Sequence, residues 1–367
     1  MKTKKILISG GGTGGHIFPA IAIAQALKVK DPSVEILFVG AKGKIEERVV
    51  PQAGFDIELL NIRGFERKIS LENFKNLYRL FGALRRSRKI LKRFKPDVAV
   101  GVGGYASGPM LRVAANHGVP LVLQEQNSYP GITNRLLAKS AKKICVAYEG
   151  LERFFPKEKI VKTGNPVRKN IEQTTVRKQE ARAFFEVPEN LPVILSLGGS
   201  GGARSINEGI KNELKKIAES EVCLIWQTGK RYYADAQEEA RKYNSTHIKP
   251  MPFISEMDKA YAAADLVISR AGAATVSELC LLGKPSILVP SPNVTEDHQT
   301  KNAETLVQKK AAVLLRDDAA KKELVSNALE IIHNPLKLNE LADNIAKEKM
   351  PNADAIIADE VLKLIKE

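Results

Sequence analysis

The stretch Lys4-Lys5-Ile6-Leu7-Ile8-Ser9-Gly10-Gly11-Gly12-Thr13-Gly14-Gly15-His16-Ile17-Phe18-Pro19-Ala20 constrains the fold more than any other part of the chain. A short apolar run, a glycine-rich turn and an Ala-rich apolar segment read as strand, loop and helix start. Five glycines leave the loop without side-chain bulk, so its backbone N–H groups can approach a bound anion. The helix that follows points its positive end at the same place. His16, a side chain that titrates near neutral pH, stands where loop becomes helix. The combination points to a phosphate or sugar site with a reactive group beside it.

The same device returns in the second half as Val193-Ile194-Leu195-Ser196-Leu197-Gly198-Gly199-Ser200-Gly201-Gly202-Ala203-Arg204-Ser205-Ile206-Asn207. Between and after the two copies, apolar runs alternate with amphipathic segments. Strands are expected at Lys5–Ser9, Glu35–Val39, Val98–Val102, Leu121–Gln124, Lys143–Val146 and Ile160–Thr163. Six more follow, at Val193–Leu197, Val222–Gln227, His247–Pro250, Leu266–Ser269, Ser286–Val289 and Ala312–Leu315. Helices are expected near Pro19–Val29, Lys44–Gln52, Leu71–Phe94, Ser107–His117 and Gly131–Ala138. Alternation of this kind implies parallel sheets covered on both faces. The fold class expected is therefore α/β, with two Rossmann-like domains of six strands each facing across a cleft. Gly164-Asn165-Pro166 punctuates the boundary, giving domains 1–165 and 166–349. The amphipathic C-terminal segment 350–367 is expected to pack back on the first domain.

A chain of 367 residues exceeds what one core usually supports, in keeping with two domains. Cys145, Cys223 and Cys280 are far apart and form no CxxC pair, so they read as buried reduced thiols. The five histidines show no metal-ligand spacing and no DxD pair occurs, so neither a metal nor a cofactor is expected. The N-terminal apolar stretch is interrupted from Gly10 to His16, unlike a signal peptide, and no run is long enough to span a membrane.

The net charge of +15 is concentrated. Twelve Lys or Arg and only two Glu lie between Arg63 and Lys95. Phe74, Leu77, Tyr78, Phe81, Leu84 and Leu91 fall on one helical face of that segment, ringed by Lys75, Arg79, Arg85, Arg86, Lys89, Lys92 and Arg93. From Leu84 onward the apolar residues read equally well as core. Over Ile62–Phe81 the pattern suits an anionic membrane surface. Nucleic acid is not expected, because no aromatic-glycine RNA signature accompanies the charge.

Four further stretches suit a ligand. Asp97-Val98-Ala99-Val100-Gly101-Val102-Gly103-Gly104-Tyr105-Ala106-Ser107-Gly108-Pro109 is a strand-to-helix turn that would bring Tyr105 and Ser107 beside His16. Gln124-Glu125-Gln126-Asn127-Ser128-Tyr129-Pro130-Gly131 sets amides and an acid after a buried strand, which suits a hydroxyl-rich ligand. Ser269-Arg270-Ala271-Gly272-Ala273-Ala274-Thr275-Val276-Ser277-Glu278 places Glu278 inside a helix, either to accept both hydroxyls of a ribose or to pair with Arg270. Pro290 to Ala303 is a polar loop running into a helix, where His298 and Gln299 either reach a sugar or cap the helix.

Together these motifs resemble the family 28 glycosyltransferases of peptidoglycan synthesis. GGGTGGHIFPA, GVGGYASGP, QEQNSYPGITNR, TGNPVR, GGSGGARSIN, SRAGAATVSEL and EDHQTKNA occur in that order across essentially the whole chain. The resemblance implies a GT-B fold and inverting transfer of GlcNAc from UDP-GlcNAc to the C4 hydroxyl of the MurNAc unit in lipid I, giving lipid II. It also implies a peripheral position on the cytoplasmic face of the membrane, with other cell-wall synthesis proteins as further candidate partners. Carried over by motif, Thr13, Gly14 and Gly15 contact the donor, with Asn127 and Arg168 in the cleft. Ser200 meets the diphosphate, Ile254 the uracil through its backbone, Glu278 the ribose and Gln299 the GlcNAc hydroxyls. Gly201 and His298 depart from the family's usual residues, and the second departure touches the donor-sugar contact.

Without a DxD pair, loop N–H groups, a helix dipole and a cation such as Arg168 must stabilise the departing UDP. The acceptor hydroxyl needs a base, for which His16 and Glu125 are the candidates and His16 is preferred. A nicotinamide enzyme would need an acid after the second strand, where Gly40-Ala41-Lys42 stands instead. Another GT-B enzyme using a UDP-sugar, a glycolipid glycosyltransferase or an epimerase, remains the alternative. A basic non-catalytic protein leaves the glycine motifs unexplained.

Overall fold

The computed structural model describes residues 3–64, 71–199 and 201–365, with the side chains of 71–75 and 295 outside that set. The chain divides into two compact units, Met1–Val167 with Asn352–Glu367, and Arg168–Pro351.

In the first unit the strands are β1 (Lys5–Ser9), β2 (Glu35–Ala41), β3 (Asp56–Leu60), β4 (Val98–Gly101), β5 (Leu121–Glu125), β6 (Lys143–Val146) and β7 (Ile160–Lys162). They form one sheet in the order β3-β2-β1-β4-β5-β6-β7, with every pairing parallel. Seven strands stand where six were expected. The unexpected β3, Asp56-Ile57-Glu58-Leu59-Leu60, is an edge strand carrying two acids, so it lacks the continuous apolar run of a doubly covered strand. The central strands have that run because both their faces are buried. Ile6 and Ile8 belong to one core layer with Val98, Val100 and Val122, whereas Leu7 joins Ala99, Leu121 and Leu123 in the other.

The helix Gly14–Lys30 is apolar nearly all round, because it lies between the sheet and the C-terminal helix Ala353–Lys363. Ile17, Ile23 and Leu27 share their layer with Ile357, Ala358 and Val361. On the opposite face, the long helix Leu71–Phe94 buries Ala83, Ile90, Leu91 and Phe94 but exposes Leu77, Tyr78 and Phe81. The apolar stripe thus divides: core from about Ala83 onward, solvent before it. Phe74 and Lys75 lie outside the described side chains. None of the described helices is long and apolar enough to cross a membrane.

The second unit repeats the plan with β8 (Val193–Leu197), β9 (Cys223–Gln227), β10 (Ile248–Met251), β11 (Leu266–Ser269), β12 (Ser286–Leu288) and β13 (Val313–Leu314). Their order is β10-β9-β8-β11-β12-β13, again all parallel. In both sheets the chain runs outward from the first strand and then returns to its other side, between β1 and β4 and between β8 and β11. Ligands of such sheets bind outside the carboxyl ends at that reversal. There the sheet order brings together loops about 90 residues apart in the first unit and about 70 in the second.

Candidate active site

At the reversal in the first unit, the loop after β1 and the loop after β4 interlock. Gly104, at φ +82°, lies so close to Gly11 that a Cβ would sit 2.2 Å from the Gly11 carbonyl oxygen. Tyr105 lays its ring against Gly12, where a Cβ would come within 3.0 Å of Cε1. Burial pushes the Tyr105 phenol up from its ordinary pKa, and the negative charge of Glu46 adds to the effect. Ser107 is buried and donates to the Gly104 carbonyl, holding the turn rather than facing a ligand.

Thr13 opens the helix Gly14–Lys30 from an extended conformation, and its carbonyl accepts the N–H groups of His16 and Ile17. Its hydroxyl does not cap the helix. Instead Oγ1 lies 3.0 Å from His16 Nδ1. The imidazole passes beside Gly103, where a Cβ would be 3.2 Å from Nε2. If Nδ1–H donates to Thr13, the lone pair is on Nε2, the tautomer a base requires. Gly14 and Gly15 form the first turn of this helix. The Gly12 amide, which the sequence offers to an outside anion, is taken by the internal carboxylate of Glu46.

Glu125 ends β5 and is wholly enclosed. It accepts hydrogen bonds from the Asn127 and Gly131 amides and from the Asn134 side chain at 2.9 Å. Burial pushes its carboxyl up, against the pull of those bonds. Both oxygens are committed to shaping the loop 126–134, on which Asn127 is half-buried. Gln124, Gln126 and Asn165 continue the same buried network, Asn165 donating to the Gln126 carbonyl.

In the second unit Glu278 lies on the helix Ala273–Leu282 with its carboxylate buried. Arg168 donates to it through Nε at 2.9 Å and Nη2 at 3.0 Å, and the buried Tyr261 hydroxyl adds a third bond at 2.9 Å. The expected alternative, a pair with Arg270, does not form. Arg270 reaches the opposite way, to Asp317, to Ser205 and to the carbonyls of Val289 and Pro290. It therefore ties β12's exit to the helix Arg204–Asn212 that follows the second glycine loop. Burial works against the Arg168 charge, but the Glu278 carboxylate outweighs it and holds the guanidinium pKa above its ordinary value.

Ile254 is buried and its N–H donates to Gln227 Oε1. Beside it the Phe253 ring is half exposed. Gln299 accepts the Ser291 amide at 2.8 Å, while its nitrogen bonds to no described residue. Ser200 lies outside the described residues; its loop is closed by Gly202, where a Cβ would be 2.3 Å from the Thr228 carbonyl oxygen. Sequence reasoning missed Glu46, Tyr261, Gln227, Phe253 and Asp317. Glu46, Tyr261, Gln227 and Asp317 each make a contact across the fold that no local motif records, and Phe253 is marked only by its exposure.

Two nucleotide-binding-like units with polar groups at both reversals define a nucleotide-sugar enzyme of GT-B type. Residues 6–146 match the glycosyltransferase family 28 N-terminal domain and residues 193–356 its C-terminal domain. The chain belongs to glycosyltransferase family 28. A relative from Parabacteroides distasonis, 54% identical over 100% of this chain and 99% of its own, is named UDP-N-acetylglucosamine–N-acetylmuramyl-(pentapeptide) pyrophosphoryl-undecaprenol N-acetylglucosamine transferase. One of the same name from Flavobacterium psychrophilum is 49% identical over 100% of this chain and 99% of its own. The crystal structure of Acinetobacter baumannii MurG superposes with a TM-score of 0.80 at 29% identity, covering 98% of this chain and 99% of that one.

Proposed function

We propose that this chain transfers N-acetylglucosamine from UDP-N-acetylglucosamine to the C4 hydroxyl of N-acetylmuramic acid in undecaprenyl-diphospho-muramyl-pentapeptide, lipid I. The product is lipid II, the disaccharide precursor of peptidoglycan. The observation that carries this reading is the unbroken full-length match to enzymes named for that transfer. The positions of His16 and Glu278 give it a chemistry.

The Arg168–Pro351 unit takes the donor. Glu278 accepts ribose hydroxyls, the Ile254 carbonyl meets the uracil and the exposed Phe253 ring stacks on it. The amides of the second glycine loop and the N-terminus of the helix Arg204–Asn212 receive the diphosphate, with Arg270 holding their frame. Gln299 donates its amide N–H groups to sugar hydroxyls. Arg168 supplies positive charge to the departing UDP.

The first unit takes the acceptor. The C4 oxygen attacks the anomeric carbon as the bond to the UDP oxygen breaks, which inverts that carbon. The hydroxyl proton passes to His16 Nε2, and the UDP anion carries away the electron pair. Thr13 fixes the imidazole, while Asn127 and Tyr105 line the acceptor side. Glu125 acts through the loop it organises.

The exposed Leu77, Tyr78 and Phe81, followed by Arg85, Arg86, Arg88 and Lys89, support docking of Ile62–Phe81 on an anionic membrane surface. Residues 65–70 of that segment lie outside the described residues. A groove of about 830 Å³ beside Tyr78, Arg79 and Arg86 adds room for a charged headgroup. The enzyme is then peripheral on the cytoplasmic face, where the nucleotide donor is present. The test is transfer of labelled GlcNAc from UDP-GlcNAc to lipid I in detergent, with and without EDTA. Label in the lipid fraction under both conditions supports the reading; UDP-GlcNAc binding without transfer returns the epimerase alternative.

A further inference from the structure

Glu46 is the first residue of the short helix Glu46–Gln52 and is completely buried. Its carboxylate faces the first glycine loop, not solvent. Both oxygens lie 3.0 Å from the Gly12 amide, and Oε1 also accepts the Ala41 amide at 3.0 Å. Among the described residues no cation pairs with it. A buried carboxylate held by two backbone amides alone is a costly group to keep for stability, because burial of charge without a counter-ion is unfavourable.

Two glycines are explained by this side chain. A Cβ on Gly11 would sit 2.3 Å from Glu46 Oε1, and one on Gly40 would sit 2.6 Å from Glu46 Cγ. Gly11 also has φ +136°, so it needs glycine twice over. On its other side the Gly11–Gly12 backbone meets Gly104 and the Tyr105 ring. The loop is therefore clamped between a carboxylate and the turn after β4, one residue before Thr13. Thr13 in turn holds His16 through Oγ1 and Nδ1.

We infer that Glu46 is a positioning residue for acceptor activation: it fixes the Gly11–Gly12 backbone and so the Thr13–His16 pair. A second consequence follows from its charge. Because the Gly12 amide is already satisfied by an anion, a phosphate cannot use it, and substrate phosphate is directed to other amides. The inference rests on the glycosyltransferase reading of the site.

The experiment compares wild type, Glu46→Gln and Gly40→Ala in the full chain, with UDP-GlcNAc and lipid I. Glutamine keeps the volume but turns one Gly12 acceptor into an N–H donor. Alanine at position 40 pushes on Cγ and leaves the carboxylate charge in place. Both variants are expected to lose about 10- to 100-fold in kcat, the scale of an ångström-sized misplacement. Direct UDP binding, a function of the other unit, should stay within about two-fold. Near-wild-type kcat in a folded Glu46→Gln protein overturns the inference. So does a parallel loss of UDP binding, or failure of both variants to unfold cooperatively, since each makes Glu46 a structural residue only. If Glu46→Gln alone fails to fold, Gly40→Ala decides by the same criteria. Wild-type transfer, measured alongside, separates failure of the functional reading from failure of this one.

Discussion

Replacing Glu278 by Gln tests the donor site at its most committed side chain. An ionised carboxylate offers about four acceptor positions, and here Arg168 Nε, Arg168 Nη2 and the Tyr261 hydroxyl use three. One is left, so two ribose hydroxyls can bind only if a present bond yields. Arg168 is the group that can move, because its side chain is 48% exposed whereas that of Glu278 is 6%. In the variant, an N–H₂ group must face Arg168 whichever way the amide turns, setting donor against donor. Losing a buried ion pair costs about 3–5 kcal/mol, and the exposure of Arg168 reduces that to about 1–3 kcal/mol here. The second unit should therefore unfold at lower denaturant without losing its fold. UDP should bind about 10- to 100-fold more weakly, the value of a hydrogen bond to a charged acceptor. The decisive assay is calorimetric binding of UDP and 2′-deoxy-UDP to both proteins. Wild type should discriminate against the deoxy nucleotide by about ten-fold, and Glu278→Gln by much less. Equal discrimination in the two proteins refutes the assignment of Glu278 to the ribose.

His16→Ala should lower kcat by roughly 10²- to 10⁴-fold with UDP binding unchanged, and equal loss of both would reassign His16 to binding. Burial pushes the Lys284 ammonium down to about 8, with Lys178 and Arg182 reinforcing and Asp265 opposing. Between about pH 8 and the ordinary lysine value the unfolded chain binds the extra proton, so stability should rise with pH by up to about 3 kcal/mol. Chemical denaturation across that range should find the rise in wild type and not in Lys284→Met, which should be the more stable near neutrality despite losing the bond to the Ala264 carbonyl. Removing Tyr78 and Phe81 together, as Ser, should weaken sedimentation with anionic vesicles by more than about ten-fold, since each exposed ring contributes roughly 1.5–3 kcal/mol when buried in lipid. Unchanged binding would move the membrane contact elsewhere.

Much of the fold was legible because its signals are local. Both glycine loops, twelve of thirteen strands and the long basic helix follow from runs of apolar residues and the glycines between them. A doubly covered parallel strand such as Val98–Gly101 needs apolar residues on both faces, and its composition says so. The edge strand Asp56–Leu60 needs them on one side only, and two acids concealed it. The helix Gly14–Lys30 begins a turn earlier than Pro19 suggests, because glycine and His16 carry little helical signal of their own.

The sequence by itself determined the two-fold repetition of strand, glycine loop and helix, and the residues of the family's motifs. It did not determine who binds whom. Glu278 shares a motif with Arg270, and the sequence left open a ribose contact or a pair between the two, yet Arg270 follows one strand, Glu278 lies inside the next helix, and they turn to different neighbours. Arg168, 110 residues away, closes the bond instead. Glu46 fell within the expected helix Lys44–Gln52 with no role read for it, and only the pairing of β1 with β2 sets that helix beneath the glycine loop. Backbone conformation is fixed by neighbours in the chain. The partner of a buried charge is fixed by sheet order, because burial forces each such group to find whichever donor the packing brings within 3 Å.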